Sequence, residues 1–188
     1  MNDYKYVDLI LGKQCQTKMG RGGIRPLEFK TFSKEMQNAI TNYCQAGGNF
    51  FVSGAYVASD LWDNRLVKAN EEDKKFAMEV LKYKWRVGQA ARNGKVKSVA
   101  SPFPEITGSY TYYQDLNPES YVVESPDALE PAAQGAFTIL RYSENNLSAG
   151  IAYKGNYKTC VLGFPFEAIR TVTERELLMK AILTFFEH

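Results

Sequence analysis

The chain has 188 residues, 45% of them hydrophobic, and its 23 basic and 21 acidic side chains give a net charge of +2. This length and apolar content suit one folded domain and exclude a disordered chain. The balanced charge argues against a nucleic-acid binder, and no run approaches the roughly 18 apolar residues of a membrane span. The only histidine is the last residue, His188. Interior Ser-His pairs, Cys-His pairs and histidine metal sites are therefore excluded, and we expect neither a metal nor a cofactor.

The chain ends and the cysteines give three further expectations. Asp8 interrupts the short apolar run near the N-terminus, which is unlike a signal peptide. Strand-like sequence begins at residue 5 without a lead-in, so we interpret residues 1–188 as a single α/β domain cut from a longer protein, and His188 as either native or the beginning of a purification tag. Cys15, Cys44 and Cys160 show no paired spacing, so neither a disulfide framework nor a zinc site is indicated. We expect the second and third cysteines to be buried apolar side chains.

The first half of the chain predicts a βαβ unit. Residues 5–11 are typical of a short buried strand that ends at Gly12. Ser33 is the predicted N-cap of a helix that ends before Gly47, and residues 49–53 are a continuous apolar run typical of a buried parallel strand. Such a unit has a right-handed crossover, and ligands bind beyond the carboxyl ends of its strands.

The second half predicts a helix, a set of hairpins and a final helix. Asn70 is the expected N-cap of the second helix. Residues 84–131 show only short strand-like runs between turns, and they predict no definite role. Residues 137–142, 148–153 and 158–163 are three strand-like runs joined by hairpin signals. Thr173, with an acid three residues later, predicts a capping box for the last helix.

The loop after the first strand is rich in glycine and basic residues. Gln14, Arg21 and Arg25 are its candidate ligand-binding residues, because backbone amides and cationic side chains suit an anion. The spacing matches neither the Walker A pattern nor the dinucleotide-binding fingerprint, since Val7 and Arg25 stand where glycines are required. We therefore favour a surface loop over a specific nucleotide site.

Three polar residues at predicted element ends are candidate catalytic residues. Ser53 follows the buried strand, where a hydrolase places its nucleophile, although no histidine is present to serve as its base. Asp60 and Glu167 could supply carboxylates for acid–base chemistry, and Glu167 falls at the same end of the sheet as Ser53. The structural alternative is that Ser53 satisfies turn backbone groups and that the acids cap turns or helix ends.

Aromatic side chains suggest a different kind of ligand site. Trp62 lies between two aspartates, and a ring beside carboxylates suits stacking on a sugar. Tyr110, Tyr112 and Tyr113 form a second aromatic group. A solvated helix end explains the aspartates around Trp62 equally well.

Three segments resemble the class I glutamine amidotransferase-like fold, a flavodoxin-like architecture. Residues 7–12 are similar to its strand that ends in a glycine turn, and residues 47–54 to the helix end, strand and elbow that carry the cysteine nucleophile in active enzymes. Residues 161–167 are similar to the late strand whose Phe-His-Pro-Glu completes the triad. The resemblance implies a three-layer α/β sandwich with a mostly parallel sheet, to which the hairpins add an antiparallel C-terminal meander.

The resemblance also implies that the amidotransferase chemistry is lost. Ser53 or Gly54 stands at the cysteine position and Pro165 at the histidine position, so that only Glu167 matches the triad. Phrases spread over residues 6–187 further resemble a domain of large secreted Bacteroides-type proteins labelled xanthan lyase-like. Lyases of that class act in an α/α toroid with Tyr, His and Arg, so the label carries no lyase activity over to this chain.

These observations lead to three hypotheses of different classes. The first is a non-catalytic accessory or ligand-binding domain of a secreted, polysaccharide-related protein, for which the resemblance implies an extracytoplasmic location. The second is a hydrolase with an unconventional site of Ser53, Asp60 and Glu167. The third is a carbohydrate-binding module that uses Trp62 and the tyrosines around residues 110–113. The expected partners are carbohydrate and other domains of the parent protein, not nucleic acid, and an exposed sheet edge would allow a homodimer.

Overall fold

The structure is a computed structural model that describes residues 3–18, 27–62 and 70–188. Within these ranges the chain forms eleven β-strands, four α-helices, a π-helical turn and a 3-10 turn. The strands are β1 (Tyr6–Gly12), β2 (Thr17–Lys18), β3 (Leu27–Glu28), β4 (Asn49–Gly54), β5 (Tyr83–Val87), β6 (Lys95–Ser98), β7 (Ser109–Thr111), β8 (Ala128–Pro131), β9 (Ala136–Tyr142), β10 (Ser148–Lys154) and β11 (Lys158–Leu162). The helices are α1 (Lys34–Gln45), α2 (Ser59–Trp62), α3 (Glu71–Phe76) and α4 (Val172–Glu187), with the π-helical turn at Ala77–Leu81 and the 3-10 turn at Phe166–Ala168.

Seven strands form one mixed sheet in the order β1-β4-β11-β10-β9-β6-β7. The pairs β1–β4 and β4–β11 are parallel, whereas the other four neighbouring pairs are antiparallel. Two small antiparallel sheets, β2–β3 and β5–β8, lie outside it. β1 is therefore one edge strand of the main sheet and β7 is the other.

The predicted three-layer α/β sandwich with a mostly parallel sheet is wrong. Parallel pairing is confined to β1, β4 and β11, and the chain is β-rich, with few helices. The part of the chain whose role was left open, residues 84–131, holds strands and loops where a parallel sheet would need crossover helices. Hairpin connections can only produce antiparallel neighbours, and these connections dominate the second half of the chain.

The βαβ unit at the start of the chain is confirmed, but the prediction that its first strand is buried is wrong, because β1 is an edge strand in which only Leu11 is buried. The Ser33 hydroxyl caps α1 by accepting a hydrogen bond from the Met36 amide at 3.3 Å. Gly47 follows the helix with a φ of +89°, a conformation typical of a residue after a helix end. β1 and β4 are parallel neighbours, with Ile10 opposite Ser53. The carboxyl ends of both strands consequently meet at one end of the sheet.

The hairpins of the second half are also confirmed, but the position of their last strand was not predicted. β9, β10 and β11 are successive antiparallel neighbours. β11 then pairs in parallel with β4, so that Val161 lies between Ile151 of β10 and Val52 of β4. This insertion joins the parallel edge of the sheet to its antiparallel part.

Alternate residues of the central strands face two apolar clusters. In β4, Phe50 and Val52 belong to a cluster with α1 and the π-helical turn, and Phe51 belongs to a cluster with α4. This is the period of two that a strand covered on both faces requires. Cys44 and Cys160 are buried, one in each cluster, as predicted.

The second predicted helix cap is confirmed and the third is displaced. The Asn70 side chain accepts a hydrogen bond from the Asp73 amide at 2.8 Å. The capping box of α4 consists of Thr171 and Glu174, two residues before the predicted pair that begins at Thr173. The Arg170 amide donates to a carbonyl of β7 at 2.7 Å, which fixes the chain before the helix and selects the earlier of the two overlapping cap patterns. Among the described residues, no helix has both the length and the apolar character to cross a bilayer.

Candidate functional site

The candidate site lies where the carboxyl ends of β1, β4 and β11 meet. Ser53, near the end of β4, pairs with Ile10 of β1 on one side and with Leu162 of β11 on the other. The 3-10 turn follows β11 and contacts β1. This arrangement places Ser53 and Glu167 at the same end of the sheet, as the sequence predicted.

Ser53 is fully buried and holds the turn that follows β11. Its Oγ accepts a hydrogen bond from the Phe166 amide at 3.2 Å. This is the structural role that serines commonly fulfil at turns. A nucleophile needs access to the substrate and an adjacent base, and a buried hydroxyl bonded to backbone does not offer that access.

Glu167 is next to Phe166 and pairs with a tyrosine from the middle of the chain. Its Oε1 accepts a hydrogen bond from the Tyr121 hydroxyl at 2.6 Å. The pair lies against Gly12, where an added Cβ would come within 3.2 Å of both Glu167 Oε1 and the Tyr121 oxygen. Gly12 also has a φ of +57°, so both its backbone conformation and this close approach favour glycine.

Charge and burial perturb the groups around Glu167. Partial removal of the Asp8 carboxyl from water and, secondarily, the negative charge of Glu167 raise the pKa of Asp8 to about 6. Burial and the hydrogen bond to Glu167 raise the pKa of Tyr121, which therefore stays protonated and donates. Glu167 Oε2 is buried without a hydrogen-bond partner among the described residues. Asp8 and Glu167 therefore place two acidic side chains at this end of the sheet, and hydrogen bonds balance their charge only in part.

Lys13 and Glu124 form an ion pair beside Tyr121, the hydrogen-bond partner of Glu167. Lys13 Nζ is 2.7 Å from a carboxylate oxygen of Glu124 and 5.8 Å from the centre of the Tyr121 ring. Both charged side chains are partly exposed. Together they present a cation, a carboxylate and a ring to solvent beside the half-buried Glu167.

Asp60 has a different role from Ser53 and Glu167. Its Oδ1 accepts from the Gln16 amide at 3.0 Å, and its Oδ2 accepts from the Thr31 amide at 3.0 Å and the Thr31 hydroxyl at 2.7 Å. These bonds hold the two ends of the glycine-rich loop against α2. The described hydrogen bonds of the three candidate catalytic residues thus go to three separate sets of partners, and none joins one candidate to another.

The aromatic candidates are mostly enclosed by protein. Tyr110 and Tyr112 are buried, and the Tyr112 ring stacks on Phe164 at 5.0 Å between centres. Trp62 is half-buried, with its ring 6.2 Å from that of Tyr83. Tyr113 is half-buried, and the guanidinium of Arg170 lies over its ring at 5.0 Å. Of the aromatic side chains named from the sequence, only Trp62 and Tyr113 retain partly exposed surface.

The loop candidates are only partly described. The Gln14 amide group donates to the Lys30 carbonyl at 2.9 Å, which ties the beginning of the loop to its end. Arg21 and Arg25 lie outside the described residues, as does Asp63. The predicted anion site in this loop therefore remains a prediction.

The described residues also bear on two other kinds of site, a metal centre and a reactive thiol. No group of three His, Cys, Asp or Glu side chains converges in the described ranges in a way that could hold a metal ion. Burial and then the charge of Asp60 raise the pKa of the half-buried Cys15 thiol. Cys15 is accordingly a protonated thiol at neutral pH rather than an activated nucleophile.

Sequence reasoning missed Asp127, which is the most deeply buried acid among the described residues. Its Oδ2 accepts hydrogen bonds from the Ala58 and Ser59 amides, both at 2.8 Å. Burial raises the pKa of this carboxyl to about 7. The sequence offered one signal for a buried carboxylate here, a single acid among the apolar residues of Pro126-Asp127-Ala128-Leu129. It was not used, because residues 84–131 predicted no definite role.

These features describe a β-rich domain with one mixed sheet and a cluster of polar side chains where its parallel strands end. Its fold is similar to part of the crystal structure of the cold-adapted β-galactosidase from Rahnella sp. R3, with a TM-score of 0.57 and 13% identity. The match covers 99% of this chain and 23% of that chain, so this chain spans about a quarter of that protein's length. At this identity the likeness shows the fold alone.

A second solved structure, the mmIFT52 N-terminal domain, matches with a TM-score of 0.43 and 14% identity, over 83% of this chain and 72% of that chain. At this TM-score the match does not establish a shared fold. A scan against protein-family models gives no match, and neither does a search of curated proteins. The resemblance to amidotransferase-like and xanthan lyase-like proteins therefore stays a prediction.

Proposed function

We propose that the chain is a non-catalytic accessory domain of a longer, carbohydrate-related protein. The observation that carries this proposal is the likeness of 99% of the chain to a segment that makes up 23% of a β-galactosidase. A domain that occurs as a minor part of such a protein suits a role in supporting or positioning its neighbours. The resemblance to domains of secreted polysaccharide-related proteins supports the same context and an extracytoplasmic location.

The chemistry of the site supports a role without catalysis. Ser53 holds a backbone amide, Asp60 holds both ends of a loop, and Glu167 holds a phenol. Each candidate catalytic group therefore has a structural partner. The alternative hydrolase would require these three side chains to act together on one substrate, and their hydrogen bonds do not connect them.

An activity assay tests the proposal directly. We expect no turnover of glutamine, nitrophenyl esters, nitrophenyl galactosides or peptides by the purified chain. Turnover that disappears in Ser53→Ala or Glu167→Gln would overturn the proposal in favour of the hydrolase. Circular dichroism of both variants is needed to separate lost chemistry from lost folding.

One observation favours a second candidate, carbohydrate binding at the parallel end of the sheet. Lys13, Glu124 and Tyr121 present a cation, a carboxylate and a ring together, and such groups bind sugar hydroxyls and sugar faces. Calorimetric titration with galactose- and glucose-based oligosaccharides measures this binding. If the site is used, Lys13→Ala weakens it, whereas Lys97→Ala, at an exposed position of β6, leaves it unchanged. Equal binding by both variants would contradict this candidate.

A further inference from the structure

The outward side of α4 carries a row of residues that we call the outer stripe: Val172, Glu176, Met179, Lys180 and Leu183. They recur at spacings of three and four, so they follow one side of the helix. The core contacts of α4 lie on another side and are made by Leu178, Ala181, Ile182, Phe185 and Phe186. The helix therefore has two apolar faces.

The apolar members of the outer stripe lie open to solvent. Val172 is 60% exposed, Leu183 is 38% exposed and Met179 is half-buried. They line a groove of about 550 Å³ on the molecular surface. A surface helix of a globular protein ordinarily has one apolar stripe, which faces the core, and a polar outer side.

The groove is shaped before anything binds to it. Phe166 forms part of its wall, and its amide is held by the buried Ser53 hydroxyl at 3.2 Å. The Phe166 ring also packs edge-on against Phe51, with 5.7 Å between ring centres. A wall fixed in this way lowers the ordering cost of docking.

The adjoining edge of the sheet is also unpaired. The end of α4 lies beside the beginning of β1, where the rings of Tyr6 and Phe186 stack at 5.8 Å between centres. Ile10 of β1 is 51% exposed. Within the described ranges, no strand pairs with the outer edge of β1. The groove and this edge make one side of the molecule open to a partner.

We propose that a second copy of this chain docks on the outer stripe, with the two α4 helices antiparallel. The charges of the stripe are self-complementary. If a twofold axis perpendicular to the two helices passes at the height of residue 178, Glu176 of each copy lies opposite Lys180 of the other copy. The same axis puts Val172 within about 1.5 Å, along the helix, of Leu183 of the second copy, because an α-helix rises about 1.5 Å per residue.

The charged pair is available for such a contact. Glu176 and Lys180 are four residues apart on α4, yet neither takes part in an ion pair among the described residues. Two Glu176–Lys180 contacts across a twofold axis would flank the apolar centre formed by the two Met179 side chains. The symmetry of the contact makes a closed dimer, because the same patch serves both copies.

Sedimentation velocity over a range of chain concentrations tests the proposal. We expect a monomer–dimer equilibrium for the unaltered chain. Leu183→Lys removes an apolar contact of the stripe and should raise the dimer dissociation constant by about tenfold or more. Leu177→Lys is the matched control: Leu177 is 59% exposed on α4 but lies outside the groove, so this variant should dimerise normally.

A charge exchange identifies the partner and its orientation. Lys180→Glu and Glu176→Lys should each weaken the dimer, because each single change sets like charges opposite one another. The double variant restores the complementary pair and should restore the dimer. A chain that stays monomeric at all concentrations, or a dimer that ignores Leu183→Lys and the charge exchange, overturns the proposal. Circular dichroism of each variant confirms that the fold is retained.

Discussion

Helix α2 is held by two aspartates, and their surroundings differ. Asp60, within the helix, uses both carboxylate oxygens to hold backbone and hydroxyl donors of the glycine-rich loop. Asp127, which precedes β8, uses Oδ2 to hold the amides of Ala58 and Ser59 at the beginning of α2, and its Oδ1 is buried without a hydrogen bond among the described residues. One carboxylate is fully bonded and the other is half bonded.

Asp127 shows the consequence of burying a carboxylate that receives hydrogen bonds at only one of its two oxygens. Burial raises the pKa of Asp127 to about 7, although the amides of Ala58 and Ser59 and the Ser59 hydroxyl each lower it. The cost of removing the charge from water therefore outweighs the bonds that Asp127 receives. The stability of the region around Asp127 should consequently depend on pH.

The largest effect is expected from Asp60→Ala. The change removes the acceptor of the buried Thr31 amide and the acceptor that Asp60 offers to the Gln16 amide, while the Thr31 hydroxyl keeps the Gln14 carbonyl as an acceptor at 3.0 Å. We expect the free energy of unfolding at pH 7 to fall by roughly 3 kcal/mol or more. Urea denaturation followed by tryptophan fluorescence measures it.

The control for this variant is Asp115→Ala, which removes an exposed acid paired with Arg170. We expect a loss of less than about 1 kcal/mol, because exposed ion pairs contribute little. Similar losses for both variants would contradict the anchoring role of Asp60.

The second effect is a pH dependence that Asp127→Asn should reduce. The folded-state pKa of Asp127, about 7, lies above the unfolded value of 3.8, so folding favours the protonated carboxyl. Its contribution to stability is fully present below about pH 4 and is lost as the pH rises to about 7. The free energy of unfolding should therefore fall over this interval, and the fall should be smaller than the loss caused by Asp60→Ala.

Denaturation curves from pH 4 to pH 8 measure this slope. Asp127→Asn cannot titrate at this position, so its slope over this interval should be smaller than that of the unaltered chain. The comparison uses the slope alone, so it does not depend on the absolute stability of the variant. Parallel slopes for the two proteins would show that Asp127 does not titrate in this range.

The smallest effect is expected from Ser59→Ala. The Ser59 hydroxyl donates to Asp127 Oδ2 at 3.2 Å, and its removal leaves the two backbone amides in place. We expect a loss of about 0.5–1 kcal/mol at pH 4. The pH at which stability stops falling should also move upward, because one bond that lowers the Asp127 pKa is gone. A shift to lower pH would contradict this assignment.

The candidate site was predicted unevenly, for physical reasons. Ser53 and Glu167 were placed at the same end of the sheet because strand direction and turn signals are local. Their partners were not predicted, because Tyr121 comes from a segment with weak periodicity that only packing brings to Gly12. Asp127 was missed for the same reason, since a buried acid leaves no pattern of spacing in the chain.

The sequence by itself determined the local elements: the cap at Ser33, the cap at Asn70, the strand that ends near Ser53 and the hairpins of β9–β11. These depend on neighbours in the chain, which capping residues, turn residues and apolar spacing report directly. Only the tertiary structure decided that β11 lies beside β4, that the sheet is mostly antiparallel, and that α4 leaves an apolar side uncovered. Those outcomes depend on contacts between segments far apart in the chain, which local spacing does not report.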